Sequence, residues 1–135
     1  MTQLIADTSV WIDFFNRSNS TSETELLFHA IRNNFNVCIC PVIYQEILQG
    51  IKEDKIYRDI KQILNNFTIL NIKIINVTEH AIDLYRFLRK KGVTIRKSND
   101  CLIASYAILC DIPVLHKDCD FDKIEKFTKL KIFRK

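Results

Sequence analysis

Leu4-Ile5-Ala6-Asp7-Thr8-Ser9-Val10-Trp11-Ile12-Asp13-Phe14-Phe15 is the stretch that decides how the rest of the chain is read. Leu4-Ile5-Ala6 is a short unbroken apolar run, which suits a buried strand. The run ends at Asp7. Thr8 or Ser9 can then cap a helix that carries Val10, Trp11, Ile12, Phe14 and Phe15. A buried strand passing directly into a helix is the opening of an α/β sheet. An acid at that junction lies at the carboxyl end of the strand, where open α/β sheets place their sites.

The same alternation continues outward. A helix is predicted from Glu23 to Asn33, with Leu26, Leu27, Ala30 and Ile31 at helical spacing. Val37 to Cys40 reads as a strand stopped by Pro41, which suits the first turn of a helix ending near Gly50. Ile56, Ile60, Ile63 and Leu64 mark another amphipathic helix. Phe67 to Leu70 and Ile72 to Val77 are rich in β-branched residues and read as a strand with its lead-out. Thr78 opens a helix that Gly92 ends. Ser98 or Asn99 caps a helix from Asp100 to Cys110, apolar nearly all round and therefore central. Pro113-Val114-Leu115 is a strand, Phe121 to Phe127 a helix, and Leu130 to Phe133 a last strand. Strands alternating with helices predict an α/β fold with a mostly parallel sheet covered on both faces.

The bulk properties fit an ordinary globular chain. It has 135 residues, 47% apolar and 27% charged, with two glycines and two prolines, so short connections and little disorder are expected. No apolar run reaches the ~20 residues needed to span a bilayer. The first residues lack the basic and apolar regions of a signal peptide. No membrane association and a cytoplasmic location are expected. Five cysteines without a CxxC pair or zinc-ligand spacing read as reduced, mostly buried thiols. Net charge is +4, concentrated at Arg86, Arg89, Lys90, Lys91, Arg96 and Lys97, and again from Lys123 to Lys135. Such clusters fit a nucleic-acid partner, and equally a solvated helix face and tail.

Four acids stand beside apolar runs: Asp7, Glu46, Asp100 and Asp118. An unpaired charge next to a core is costly. Asp7 and Asp118 follow predicted strands, Glu46 lies in the helix after the second strand, and Asp100 opens a helix, so all four can face one crevice. Carboxylates gathered that closely cannot all ionise without a cation, and oxygen ligands suit Mg²⁺ or Mn²⁺. A metal held there can activate water for in-line attack on a phosphodiester. Singly, each acid has a plainer reading: Asp7 as a helix cap, Glu46 as a surface residue, Asp100 and Asp118 as partners of helix N-termini. Trp11, Phe14 and Phe15 read as core or dimer-surface aromatics. His29 and His80 read as surface residues.

Four segments in order carry a family resemblance. Asp7-Thr8-Ser9-Val10-Trp11-Ile12-Asp13-Phe14-Phe15 resembles the opening motif of PIN-domain ribonucleases, in particular VapC-type toxins. Pro41 to Gly50 resembles the segment with the second acid, Ser98-Asn99-Asp100-Cys101-Leu102-Ile103-Ala104 the third, and His116-Lys117-Asp118-Cys119-Asp120-Phe121 the fourth. The resemblance implies one PIN-like nuclease domain over residues 1–135. It implies a three-layer α/β/α fold around a mostly parallel sheet of about four to five strands. It implies an endoribonuclease dependent on Mg²⁺, with Mn²⁺ able to substitute. The catalytic acids would be Asp7, Glu46, Asp100 and Asp118, with Asp7, Asp100 and Asp118 on the metal and Ser9 or Thr8 as the supporting hydroxyl. Asp118 and Asp120 both fit the fourth position; Asp118 is preferred because Asp120-Phe121 resembles the start of a helix. Arg96 and Lys97 are candidates for holding RNA phosphate.

The implied partners are transfer or ribosomal RNA, a VapB-type antitoxin laid over the groove, and a second copy of the chain, giving a homodimer and a hetero-oligomer with antitoxin. A haloacid-dehalogenase-like phosphatase would need an acid where Ser9 stands, and a receiver domain would need an acidic pair before its first helix. The remaining alternative is a catalytically silent PIN-like module that binds RNA or protein.

Overall fold

A computed structural model describes residues 2–17 and 19–134 of the chain. Met1, Ser18 of the expected polar loop, and Lys135 of the second basic cluster lie outside the described residues. Strands and helices alternate as β1 (Gln3–Ala6), α1 (Thr8–Phe15), α2 (Ser22–Arg32), β2 (Asn36–Ile39), α3 (Pro41–Gln49), α4 (Asp54–Leu64), β3 (Thr68–Ile69), α5 (Ile74–Lys90), α6 (Ser98–Cys110), β4 (Val114–Leu115) and α7 (Cys119–Phe127).

The four strands are all parallel, in the order β3-β2-β1-β4. Ile5 stands opposite Cys38 on one side and Val114 on the other. The chain therefore moves from β1 outward to β2 and β3, then returns to the other side of β1 as β4. That reversal opens a crevice beyond the carboxyl ends of β1 and β4. The two ends are tied together there: the Asp7 amide donates to the Leu115 carbonyl at 2.9 Å.

β1 is apolar throughout because it is central, with Leu4, Ile5 and Ala6 fully buried. Trp11 on α1 is also fully buried, its ring 5.7 Å from Phe15 and 5.1 Å from Phe67. It is therefore a core aromatic. α5 and α6 pack along each other, and α6 also touches α3 and α7. The buried side of α6 carries Asp100, Cys101, Ala104, Ser105 and Ala107, while Leu109 remains half exposed. His80 on α5 lies only partly exposed, with Nδ1 2.7 Å from the Ser105 hydroxyl. All five cysteines are free and most are buried: Cys38, Cys40 and Cys101 are buried, Cys110 is half-buried, and Cys119 is exposed. No helix among the described residues is long and apolar enough to cross a membrane.

Four boundaries differ from the sequence reading. The β-branched run Ile72 to Val77 is not a strand lead-out; from Ile74 onward it is the first turn of α5. Val77, Ala81, Leu84 and Leu88 form one buried stripe at helical spacing, and that stripe overrides β-propensity. The last strand, expected from Leu130 to Phe133, reduces to a bridge between Val114 and Ile132. α6 begins at Ser98, so neither Ser98 nor Asn99 is its cap, and α7 begins at Cys119, two residues before the expected Phe121.

Candidate active site

Asp7 leaves β1 in extended conformation and occupies the N-cap position of α1, yet its carboxylate makes no capping hydrogen bond. It turns toward the crevice, where the Ser9 hydroxyl donates to Oδ2 at 2.8 Å. Thr8 and Ser9, alternatives in the sequence, divide the work. Thr8 donates its hydroxyl to Glu46 Oε1 at 2.7 Å, linking α1 to α3. Asn99 Nδ2 approaches the other Glu46 oxygen at 3.4 Å from the first turn of α6. Glu46 is thus held by donors from two other helices, with lone pairs left on both oxygens.

Asp100 stands in the first turn of α6 and is 6% exposed. Its Oδ2 is buried and has no hydrogen-bond partner. Burial, then the neighbouring charges of Asp7 and Asp118, push this carboxyl up to about 7. Asp7 is also raised, chiefly by burial and further by Glu46, with the Ser9 hydroxyl and nearby amides offsetting part of the effect.

The fourth segment separates its two acids. Asp118 is the N-cap of α7, accepting the Asp120 amide on Oδ1 at 3.0 Å. Its own amide donates to His116 Nδ1 at 3.0 Å, and His116 Nε2 lies 3.2 Å from Asp122. A neutral His116 accepting at Nδ1 and donating at Nε2 satisfies both contacts and fixes the loop. Asp120 is not on the same extended segment, as alternation suggested; it lies in the first turn of α7 and is fully buried. Two cations offset it: Lys123 Nζ at 3.5 Å from Oδ1, and Arg96 Nε at 3.5 Å from Oδ2. The Arg96 amide also donates to Oδ2 at 3.3 Å.

Asp7, Glu46, Asp100 and Asp118 all line one cleft of about 660 Å³, together with Thr8 and Ser9. Arg96 and Lys97 stand at its edge. Arg96 does not point away toward a ligand: Nη2 is 3.2 Å from Asp118 Oδ1. Lys117 also lines this cleft and is ion-paired with Asp13, a buried acid of α1. Nothing local in the sequence signals that pair, whose members sit near opposite ends of the chain. The chemistry of the acids fits a divalent cation: oxygen donors from four elements line the cleft, and Asp100 Oδ2 is a buried oxygen without a partner. Among the described residues, the group whose ligand atoms lie within 4.8 Å of one another is Asp118, Cys119 and Asp120.

A parallel sheet with four carboxylates gathered at its switch point defines an α/β protein of the PIN type. The pattern of the PIN domain matches residues 4–127, and the chain belongs to that family. It is 32% identical to ribonuclease VapC11 of Mycobacterium tuberculosis over 94% of this chain and 95% of that one. A VapC ribonuclease of Mycobacterium bovis matches to the same extent. Among solved structures the fold is similar to VapBC2 from Rickettsia felis bound to a promoter DNA fragment, with a TM-score of 0.77 and 18% identity over 98% of each chain. It is also similar to VapBC-1 from nontypeable Haemophilus influenzae, with a TM-score of 0.74 and 16% identity over 98% of this chain and 97% of that one.

Proposed function

We propose that residues 1–135 act as one nuclease domain, a metal-dependent endoribonuclease that serves as the toxin of a toxin–antitoxin pair. The observation that carries this is the single cleft lined by Asp7, Glu46, Asp100 and Asp118. The relatives named as VapC ribonucleases support it.

Asp7, Asp100 and Asp118 would hold Mg²⁺, or Mn²⁺ in its place. When bound, the ion supplies a more acidic water and neutralises charge developing on phosphate oxygens. Each residue has its own task. Asp100, whose Oδ2 has no partner, would offer that oxygen to the ion, and Asp7 accepts from the Ser9 hydroxyl. Asp118, which lines the cleft and keeps Oδ1 on the α7 amide, would offer its other oxygen as the fourth acid. Asp120, already offset by Arg96 and Lys123, anchors the loop instead. Glu46, oriented by Thr8 and Asn99, is the acceptor for a proton from attacking water. Lys97 at the cleft edge is a contact for RNA phosphate, giving affinity without sequence preference. The products carry 5′-phosphate and 3′-hydroxyl ends, and no covalent enzyme intermediate forms.

The substrate class is transfer or ribosomal RNA in the cytoplasm. The partner is a small VapB-type antitoxin, consistent with the VapBC complexes that share this fold. A homodimer that assembles further with antitoxin completes the proposed unit. Expression in bacteria tests the biological role. Wild type should arrest growth, while Asp7→Asn should not, and co-expression of a cognate VapB-type antitoxin should restore growth. Arrest by Asp7→Asn equal to wild type would reject the proposal.

A further inference from the structure

Arg96 lies where an RNA-binding arginine is not expected to rest. Its guanidinium bridges Asp118 Oδ1, at 3.2 Å, and Asp120 Oδ2, at 3.5 Å. The two acids are not equal partners. Asp120 is fully buried, has Lys123 as a second cation, and also accepts the Arg96 amide. Backbone and Lys123 therefore keep the loop in place whatever the guanidinium does. Asp118 has no other cation against it among the described residues, and it faces the cleft. The Arg96 side chain is 66% exposed, so it can leave at little cost.

We propose that Arg96 is an internal competitor for the divalent cation at Asp118, setting how much metal the cleft takes up. This rests on the metal reading given above. A guanidinium on Asp118 lowers the negative potential that a divalent cation meets there, so metal entry has to displace it or bind against it. The expected size is modest, about two- to fivefold in an equilibrium constant, because the exposed guanidinium is screened by solvent. Lys97 supplies the comparison: it lines the same cleft with the same charge and its field reaches Asp100, but it makes no ion pair with Asp118.

The test is Mn²⁺ affinity of the purified, partner-free protein without RNA, read by the electron paramagnetic resonance of free Mn²⁺. Arg96→Gln should bind Mn²⁺ about two- to fivefold more tightly than wild type. Arg96→Lys, which keeps a cation, should fall between them, and Lys97→Gln should change affinity clearly less than Arg96→Gln. Equal measurable affinities for wild type and Arg96→Gln would overturn the proposal while leaving the metal reading intact. An equal effect from Lys97→Gln would overturn it in favour of a diffuse field. Absence of Mn²⁺ binding in all variants would remove the metal reading and this proposal with it.

Discussion

Thr8 gives its hydroxyl hydrogen to Glu46 Oε1 at 2.7 Å, so the first turn of α1 and the body of α3 share one proton donor. This bond sets the direction of the only one of the four acids that neither ends a strand nor opens a helix. Removing the hydroxyl while keeping the shape, with Thr8→Val, should free Glu46 to move. A hydrogen bond to a charged group is worth ~1.5–3 kcal/mol. If Glu46 takes a proton from water, kcat should fall about tenfold or more, and the melting temperature should drop by several degrees, roughly, with the lost bond. Wild-type kcat in a folded Thr8→Val protein would show that Glu46 needs no such orientation.

Asp100 makes stability depend on pH in an unusual direction for a carboxylate. Its folded value is about 7 against an ordinary 3.8, so between these values the folded state holds the extra proton. Stability of the metal-free protein should therefore fall as pH rises from about 4 to about 7, then level off. At ~1.4 kcal/mol per unit, the cost at neutral pH is on the order of 4 kcal/mol. Asp100→Asn should melt several degrees above wild type at pH ~8 in EDTA, with the gap closed near pH ~4. Mg²⁺ should raise the wild-type melting temperature and leave that of Asp100→Asn nearly unchanged. Parallel melting curves across pH would contradict the assignment.

Asp118 and Asp120 should part under substitution. Asn caps a helix as well as Asp does, so Asp118→Asn should keep its stability within a few tenths of a kcal/mol, roughly. It should nevertheless lose cleavage by at least about a hundredfold, the upper end for groups supporting a metal. Asp120→Asn removes a buried charge from between two cations and should cost about 2 kcal/mol or more of stability. Urea unfolding beside initial rates measures both. The reverse pattern would move the fourth acid to Asp120.

The order of elements and the crevice were legible because they depend on local signals. Leu4-Ile5-Ala6 reads as a buried strand, and the acid after it falls at the switch point because β4 returns beside β1. The start of α5 was not legible from composition, since Ile72 to Val77 carries β-branched residues. Extending the stripe of Ala81, Leu84 and Leu88 back by one turn to Val77 would have found it. The roles of Asp118 and Asp120 depended on where α7 begins, a two-residue matter that sequence patterns rarely resolve. Asn99 against Glu46, Lys117 against Asp13 and Arg96 across two acids are contacts between distant segments, and no local pattern announces them.

The most direct measurement is cleavage of total bacterial RNA by purified protein freed of any partner, in Mg²⁺ and in EDTA, beside Asp7→Asn. Discrete fragments that require Mg²⁺, carry 5′-phosphate ends and are absent with the variant are the predicted result. A folded wild-type protein giving the same RNA pattern with Mg²⁺, with EDTA and as Asp7→Asn would contradict the account and leave a binding module in its place.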